Sequence, residues 1–368
     1  MIHFFVPAAQ EFTIKDYVDL FGRALRHDIR ILHYEDLVNQ REFSRGTYVL
    51  AALDQLHTGM DQLLVELLDQ LKPVEGFRFL NDPRKTLQRF ELLNKLHDEG
   101  RNDFRAFKAD GDLTNLRFPV FLREESLHDG AISPLLNSER DIREALGRAL
   151  VQGHKLKDLL IVEFCDTADE RGFFRKYAAF IVGKRVIPRS LNYGKQWMLK
   201  HSETEFTIAM VQEELEYVST NPHQQQLEEI FAFAEVGYGR IDYAIKDNRV
   251  QTWEINLHPT IGRGLRRRSK PLSPELDVVR DEVRRHFYAG FEQAWREIDL
   301  PTNSATPVRL TINPRIVRAA RRGDVPRNRL LTTVKAMLRP AKPLILPISR
   351  PLLFILGSLA RLRQPKRS

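Results

Sequence analysis

The stretch GRIDYAIKDNRVQTWEINLHPT, residues 239–260, limits what this chain can fold into more than any other segment. Ile241, Tyr243 and Ile245 alternate with Asp242 and Ala244, and Val250 to Ile255 is a second β run. Lys246-Asp247-Asn248 between them is turn-forming, so the stretch predicts a hairpin. Residues two apart on a strand share a face, which places Glu254 and Asn256 together. Pairing with the first strand can bring Asp242 to the same side. Two carboxylates and an amide oxygen then converge, a set of hard oxygen donors suited to Mg²⁺ that keeps waters and phosphate oxygens. The same residues are also compatible with a solvated hairpin that carries them on its polar face.

The rest of the chain bounds that reading. At 368 residues it has room for two or three compact units. Its 42% hydrophobic and 29% charged residues are ordinary for a soluble globular protein. A single cysteine, Cys165, excludes an internal disulfide and a cysteine-rich metal site, and fits a reducing compartment such as the cytoplasm. The opening MIHFFVPAAQEF lacks a basic leader and a long apolar run, so Ile2 to Val6 reads as a first core strand rather than a secretory signal. Charge is uneven. Residues 301–368 hold 15 Lys and Arg against one acid, Asp324, while residues 1–300 hold 42 basic and 48 acidic side chains. The basic balance belongs to the tail and says nothing about the partners of the body.

Along the chain, strand-like IHFFVP and IRILHY alternate with the amphipathic segments KDYVDLFGRALRH and TGMDQLLVELLDQL, which predicts a small open α/β domain. Asn81-Asp82-Pro83 offers a cap and a first-turn proline for a helix running to Gly100. FPVFLRE (118–124) and DLLIVEFCD (158–166) read as strands, with SERDIREALGRALVQG between them as a helix in which Ser138 and Asp141 have capping spacing. YAAFIVGKRVIPRSL is a hairpin turning at Gly183-Lys184, and QQQLEEIFAFAEVG is a helix. Residues 273–298 form a long helix with an apolar stripe through Val278, Val283, Phe287 and Phe291. The fold class expected is α/β (α+β). The divisions expected are 1–102, 103–190, 191–300 and a basic, partly apolar tail, 301–368.

This order of pieces resembles the ATP-grasp superfamily over roughly residues 1–298, in the branch of ATP-dependent carboxylate–amine ligases similar to glutathione synthetase and glutamate ligases. The resemblance implies an N-terminal domain followed by two α+β subdomains clasping ATP. It implies phosphate-binding cations at Arg89, eleven residues before Gly100, and at Arg123, four after Pro119. Both positions are usually lysine; arginine keeps the charge and adds a fork able to grip two phosphate oxygens. The phosphate loop falls on ESLHDGAIS (125–133), where Gly130 is the one glycine and His128 and Asp129 are the unusual content. Glu163 would meet the adenine amino group, the backbone of Phe164 and Cys165 would supply hydrogen bonds to the base, and Asp166 is the ribose candidate. From the residues alone, Phe164 and Cys165 are equally core, and Glu163 a strand-end charge.

Arg175 or Lys176 matches the entry to the family's basic hairpin, and Arg189 its exit, where the acyl-phosphate is bound. Asp242, Glu254 and Asn256 would hold one or two Mg²⁺ (or Mn²⁺), with Arg240 against the transferred phosphate. Trp197 reads as core or as the anchor of a lid. The implied reaction is ATP-dependent activation of a carboxylate and its capture by an amine; the acid and amine are small molecules or peptides. The alternatives are a kinase acting on a hydroxyl and a non-catalytic ATP-binding scaffold. Gly262, Gly264, Arg263 and Arg266 to Arg268 follow the hairpin as a basic loop, either solvated or anion-binding. Ala341 to Leu362 is apolar but carries Arg350 and Arg361 and is broken by Pro343, Pro347 and Pro351, so it suits peripheral contact with the anionic inner face of a membrane rather than a span. Packing on the body is the other reading of the tail. Its few aromatics and the acidic body disfavour nucleic acid. Oligomerisation stays open.

Overall fold

The IHFFV pentapeptide is buried at every position, which requires a strand covered on both faces. A computed structural model of the chain, describing residues 1–127, 130–199, 206–261, 273–301 and 306–323, places it at the centre of a parallel sheet. The elements in order are β1 (Ile2–Val6), α1 (Phe12–Leu20), β2 (Ile29–His33), β3 (Glu42–Phe43), β4 (Gly46–Leu50), α2 (Thr58–Leu71) and β5 (Phe77–Leu80). There follow α3 (Arg89–Asp98), β6 (Ala106–Lys108), β7 (Val120–Glu124), α4 (Glu139–Val151), β8 (Leu159–Glu163), β9 (Phe174–Val182) and β10 (Arg185–Gly194). The chain continues through α5 (Ile208–Thr220), α6 (Gln224–Phe233), β11 (Tyr238–Lys246), β12 (Arg249–Asn256), α7 (Pro274–Ile298), β13 (Val308–Arg309) and α8 (Pro314–Gly323). Met1–Arg321 is one compact unit; of the second, Arg322–Ser368, only residues 322 and 323 are described.

Three main sheets make this a mixed α/β fold. The first, ordered β2-β1-β4-β5, is parallel throughout. Helix α2 buries Met60, Leu63, Leu64, Leu67, Leu68 and Leu71, the three-and-four spacing expected, and the His57 ring caps it by accepting the Met60 N–H at 3.3 Å. The second sheet, β6-β8-β7, is antiparallel and packs on Ile142, Ala145 and Ala149 of α4. The third, β10-β9-β11-β12, is antiparallel and carries the hairpin from which the sequence reading began. Its turn residues Asp247 and Asn248 have φ of 49° and 58°, the paired positive values a tight hairpin requires.

Several expectations need correction. The helix does not start at Pro83. Asp82 instead closes a turn, its carbonyl accepting from Lys85 and Thr86, and α3 begins at Arg89 behind a reciprocal cap of Gln88 and Glu91. The segment 15–27 is helical only to Leu20, which α1 reaches from Phe12. The division at 190 falls inside β10. Strands β9 and β10 belong to the same sheet as β11 and β12, so the sheet boundary lies between β8 and β9. Val278 is 67% exposed; the buried stripe of α7 is Leu276, Val283, Phe287, Phe291, Ala294, Trp295 and Ile298. The tail does not begin at 301, because β13 pairs with β3 and Leu310, Ile312, Val317 and Ala320 are buried. Helix α8 docks where α2 has Gly59: a Cβ there would lie 2.4 Å from the Ala319 carbonyl oxygen.

Two features join the sheets. Helix α7, with Pro274 in its first turn and capped by Ser273, lays Phe287 and Phe291 on Phe180 of β9 and Trp295 against Tyr238 of β11 and Phe4 of β1. Asn81, at φ 67° after β5, donates to the carbonyls of Leu50 and Tyr238 and accepts the N–H groups of Gly237 and Tyr238, all within 2.9–3.1 Å. One buried amide thereby ties the first sheet to the start of β11.

Candidate functional site

The third sheet forms the floor of a cleft of about 550 Å³, a volume typical of a small-molecule site. Register fixes what that floor presents. Arg240 lies opposite Asn256 and Asp242 opposite Glu254, so the expected convergence of Asp242 and Glu254 is met. Between Asp242 and Tyr243 the register slips, making Trp253 an extra residue on β12. A regular strand sends neighbours to opposite faces; here both Trp253 and Glu254 line the cleft. A second bulge does the same on β10. Pro188 pairs with Ala179 and Ser190 with Ala178, leaving Arg189 unpaired in the ladder, and both Arg189 and Ser190 line the cleft. Proline within a strand is confined to edges and bulges, so Pro188 was the sequence signal for it.

Charge is concentrated along the floor. Oε2 of Glu254 accepts from Arg89 Nη2 and from Arg123 Nη2, the latter at 2.6 Å. Arg89, the first residue of α3, also donates to the carbonyls of Glu124 at 2.9 Å and Leu127 at 3.0 Å. Asp242 takes two bonds from Arg240, at 2.8 and 3.2 Å, and one from Lys176 Nζ at 3.4 Å. The two positions expected to bind phosphate, the two carboxylates expected to bind metal, and Lys176 are therefore brought together. Burial, and then the neighbouring Arg89, hold the Arg123 guanidinium down at about 10. Burial also disfavours charge on Arg240, but Asp242 outweighs it and raises the guanidinium above its ordinary range.

The donor set fits a magnesium ion at Asp242 and Glu254: two paired carboxylates, both buried, facing a cleft rich in cations. Asn256 stands in line with Glu254, but its Oδ1 accepts the His258 N–H at 2.8 Å, so the amide is turned into its own turn. Among the described residues no three His, Cys, Asp or Glu side chains converge on a point. The site is thus a two-carboxylate site with an amide beside it.

One side of the cleft is apolar. Phe121, Phe164, Cys165, Trp197 and Trp253 line it, with Trp197 centred 4.9 Å from the Phe121 ring and 5.8 Å from that of Phe164. Burial pushes the Cys165 thiol up to about 11, which marks an inert packing residue. Glu163 does not serve this wall. It is 1% exposed on the far side of β8, where Arg117 grips it at 2.7 Å and the N–H groups of Arg117 and Arg105 donate to it at 3.0 and 3.3 Å. The Phe164 N–H donates to the Pro119 carbonyl, so that amide is not available to a bound base. Asp166 is exposed, closes a local turn with the Ala168 N–H at 3.0 Å, and lies outside the cleft lining. Arg175 reaches the cleft edge but is held by Asp169 at 2.6 Å and Glu213 at 2.9 Å.

Gly130, at φ 89°, lines the cleft as expected. His128, Asp129, Gly262, Arg263, Gly264 and Arg266 to Arg268 lie outside the described residues. The sequence reading missed Glu214 of α5 and Arg280 and Arg284 of α7, all in the lining. A signal existed. Glu214 sits three residues from both Val211 and Tyr217, on the buried stripe of its helix, and Arg280 falls between Leu276 and Val283 on that of α7. A charge in register with an apolar stripe is either paired or functional.

No family model matches the chain, and no curated protein matches it. Among solved structures, it is similar to the D-alanine–D-alanine ligase of Bacillus anthracis complexed with ATP, at 12% identity over 80% of this chain and 98% of that one, with a TM-score of 0.41. The D-alanine–D-alanine ligase of Coxiella burnetii aligns at 11% identity over 80% and 97% of the two chains, with a TM-score of 0.44. The L-amino acid ligase of Bacillus licheniformis aligns at 10% identity over 84% and 74%, with a TM-score of 0.39.

Proposed function

We propose that this chain is an ATP- and Mg²⁺-dependent ligase that joins a carboxylate to an amine through an acyl-phosphate. The observation that carries the reading is the set of charges lining the cleft, Glu254–Arg123 beside Lys176–Asp242–Arg240, with Arg89 bonded to Glu254 from outside the lining, together with an aromatic wall. Four cations against two carboxylates leave two positive charges, which complement the excess negative charge of a magnesium-bound triphosphate. The aromatic wall suits a base, and the floor suits phosphates.

The residues act by position and charge. Arg89 and Arg123 each donate one Nη2 to the same oxygen of Glu254, so the two guanidiniums converge at one point, where they would grip phosphate oxygens. Lys176 and Arg240 bracket Asp242 and neutralise charge passing between donor and acceptor oxygens. Asp242 and Glu254 would hold Mg²⁺, which would offset phosphate charge. A carboxylate oxygen of the substrate attacks the γ-phosphorus and ADP leaves. The amine then attacks the acyl carbon, the bond from that carbon to the bridging oxygen breaks, and inorganic phosphate leaves with the oxygen, its bonding pair and the proton the amine gives up. Arg189, at the bulge of β10 and in the cleft lining, would hold the acyl-phosphate. Oriented cations and a dry cleft suffice for this chemistry without a nucleophilic side chain.

Incubation of the protein with ATP, Mg²⁺ and pooled acids and amines tests it. ADP, phosphate and an amide in equal amounts are expected. A phosphorylated hydroxyl compound would instead make the protein a kinase. ATP binding without turnover, indifferent to Asp242→Asn, would make it a scaffold.

A further inference from the structure

Past the phosphate end, the cleft holds a second charged cluster that the steps above leave unused. Arg280 Nη2 stands 3.6 Å from Glu214 Oε2, beyond hydrogen-bond length and in contrast to the tight pairs on Asp242 and Glu254. Glu214 is 2% exposed. Its Oε1 accepts the Leu191 N–H at 3.3 Å, but its Oε2 is buried with no hydrogen-bond partner among the described residues, and so is Arg280 Nη1. Arg280 lies over the Phe206 ring at 4.5 Å and Arg189 over the Phe287 ring at 4.5 Å, so both guanidiniums are fixed by stacking. Arg189 is within electrostatic reach of Arg240 on one side and of Glu214 and Arg280 on the other. It links the phosphate end to this cluster. Burial pushes the Glu214 carboxyl up and the Arg189 and Arg280 guanidiniums down, against the opposing charges they offer one another.

Buried polar atoms are almost always satisfied. Two such atoms of opposite polarity, side by side in a cleft wall, define their ligand. A carboxylate alone would suit Arg280 and be repelled by Glu214, and an amine alone would meet the reverse. A molecule with both groups on one carbon satisfies both. We propose that Glu214 and Arg280, with Arg189 behind them, form the acceptor subsite, and that it takes an α-amino acid, ammonium on Glu214 Oε2 and carboxylate on Arg280 Nη1. The role of that amino acid as acceptor rests on the ligase reading; its binding chemistry does not.

Calorimetry on the full chain with ADP and Mg²⁺ tests this, using the twenty L-amino acids, D-alanine, and for each the amine and the acid left after removing one head group. At least one amino acid is expected to bind at least about ten-fold more tightly than both of its counterparts. Glu214→Gln and Arg280→Gln should each weaken it by about ten-fold or more, while a fluorescent ATP analogue binds both variants as it binds the parent, which also reports that they fold. The proposal is overturned if no amino acid outbinds its amine and its acid, or if both variants bind amino acids like the parent. If amino acids bind as stated and no amide or ADP forms with any acid, the ligase reading falls and the subsite stands. If amide forms from amines lacking a carboxylate and Glu214→Gln leaves that rate unchanged, the subsite falls and the ligase reading stands.

Discussion

Replacing Arg123 with methionine should stabilise the fold while weakening nucleotide binding. Arg123 is 7% exposed and shares one oxygen of Glu254 with Arg89. Keeping a guanidinium charged at neutral pH where its pKa is only about 10 costs about 3 kcal/mol relative to water. Methionine occupies a similar volume without that cost. Removing one member of a buried pair is ordinarily destabilising by about 3–5 kcal/mol, because the other charge is stranded. Glu254 is not stranded here, since Arg89 remains on it. The expected result is therefore a gain of about 1–3 kcal/mol in urea unfolding at pH 7. In the same protein, affinity for ATP with Mg²⁺ should fall by roughly ten-fold to a hundred-fold, the loss of one charged fork on phosphate. A variant less stable than the parent by more than about 1 kcal/mol would refute the argument, because the Glu254 pairing would then outweigh the burial of Arg123.

Asn81→Ala should destabilise by about 2–4 kcal/mol in the same assay, since it strips partners from two N–H groups and two carbonyls; a loss under about 0.5 kcal/mol would mean water replaces the amide. Glu214 has a folded-state pKa above its unfolded value, so its contribution is present below the unfolded pKa and is lost as pH rises through the folded one. Glu214→Gln should then be more stable than the parent at pH 8, with the difference shrinking as pH falls toward the ordinary carboxylate range; a gap that widens on acidification would contradict this. Because residues 306–321 belong to the first compact unit, membrane contact is best tested by ending the chain at Gly323, the end of α8. That truncation should lose binding to vesicles containing phosphatidylserine and keep ATP binding, and unchanged vesicle binding would remove the tail from the account.

Where local chemistry dictates structure, the sequence was sufficient. The apolar spacing of α2 and the turn at Asp247-Asn248 follow from period and turn type, whereas the pairing of Asp242 with Glu254 needs the bulge at Trp253, since the turn alone would set Asp242 opposite Trp253. The helix at Pro83 failed because two caps compete within eight residues, and the reciprocal Gln88–Glu91 cap satisfies more donors than Asp82 can. Glu163 failed for a different reason. A carboxylate at a strand end looks the same whichever way it points, and only tertiary placement of Arg117 shows that it faces away from the cleft. The bulges at Arg189 and Trp253 change which residues face the ligand, and only Pro188 hinted at one of them. Glu214 and Arg280 were readable as charges on apolar stripes, but their convergence depends on how α5 and α7 cross.

Helix α7 is wedged most tightly near its C-terminal end and carries Arg280 and Arg284 nearer the other. Its C-terminal carbonyl at Ile298 accepts the Thr47 hydroxyl, and Trp295 is wedged among Phe4, Tyr238 and Phe291. Arg284 and Arg280 lie 11 and 15 residues earlier, about 16 and 22 Å along the axis. A rod fixed at its base magnifies a small tilt at its tip. For the proposed subsite, a change in bulk at Trp295 would reset the distance between Arg280 and Glu214 from a position outside the cleft, while leaving every cleft side chain chemically intact.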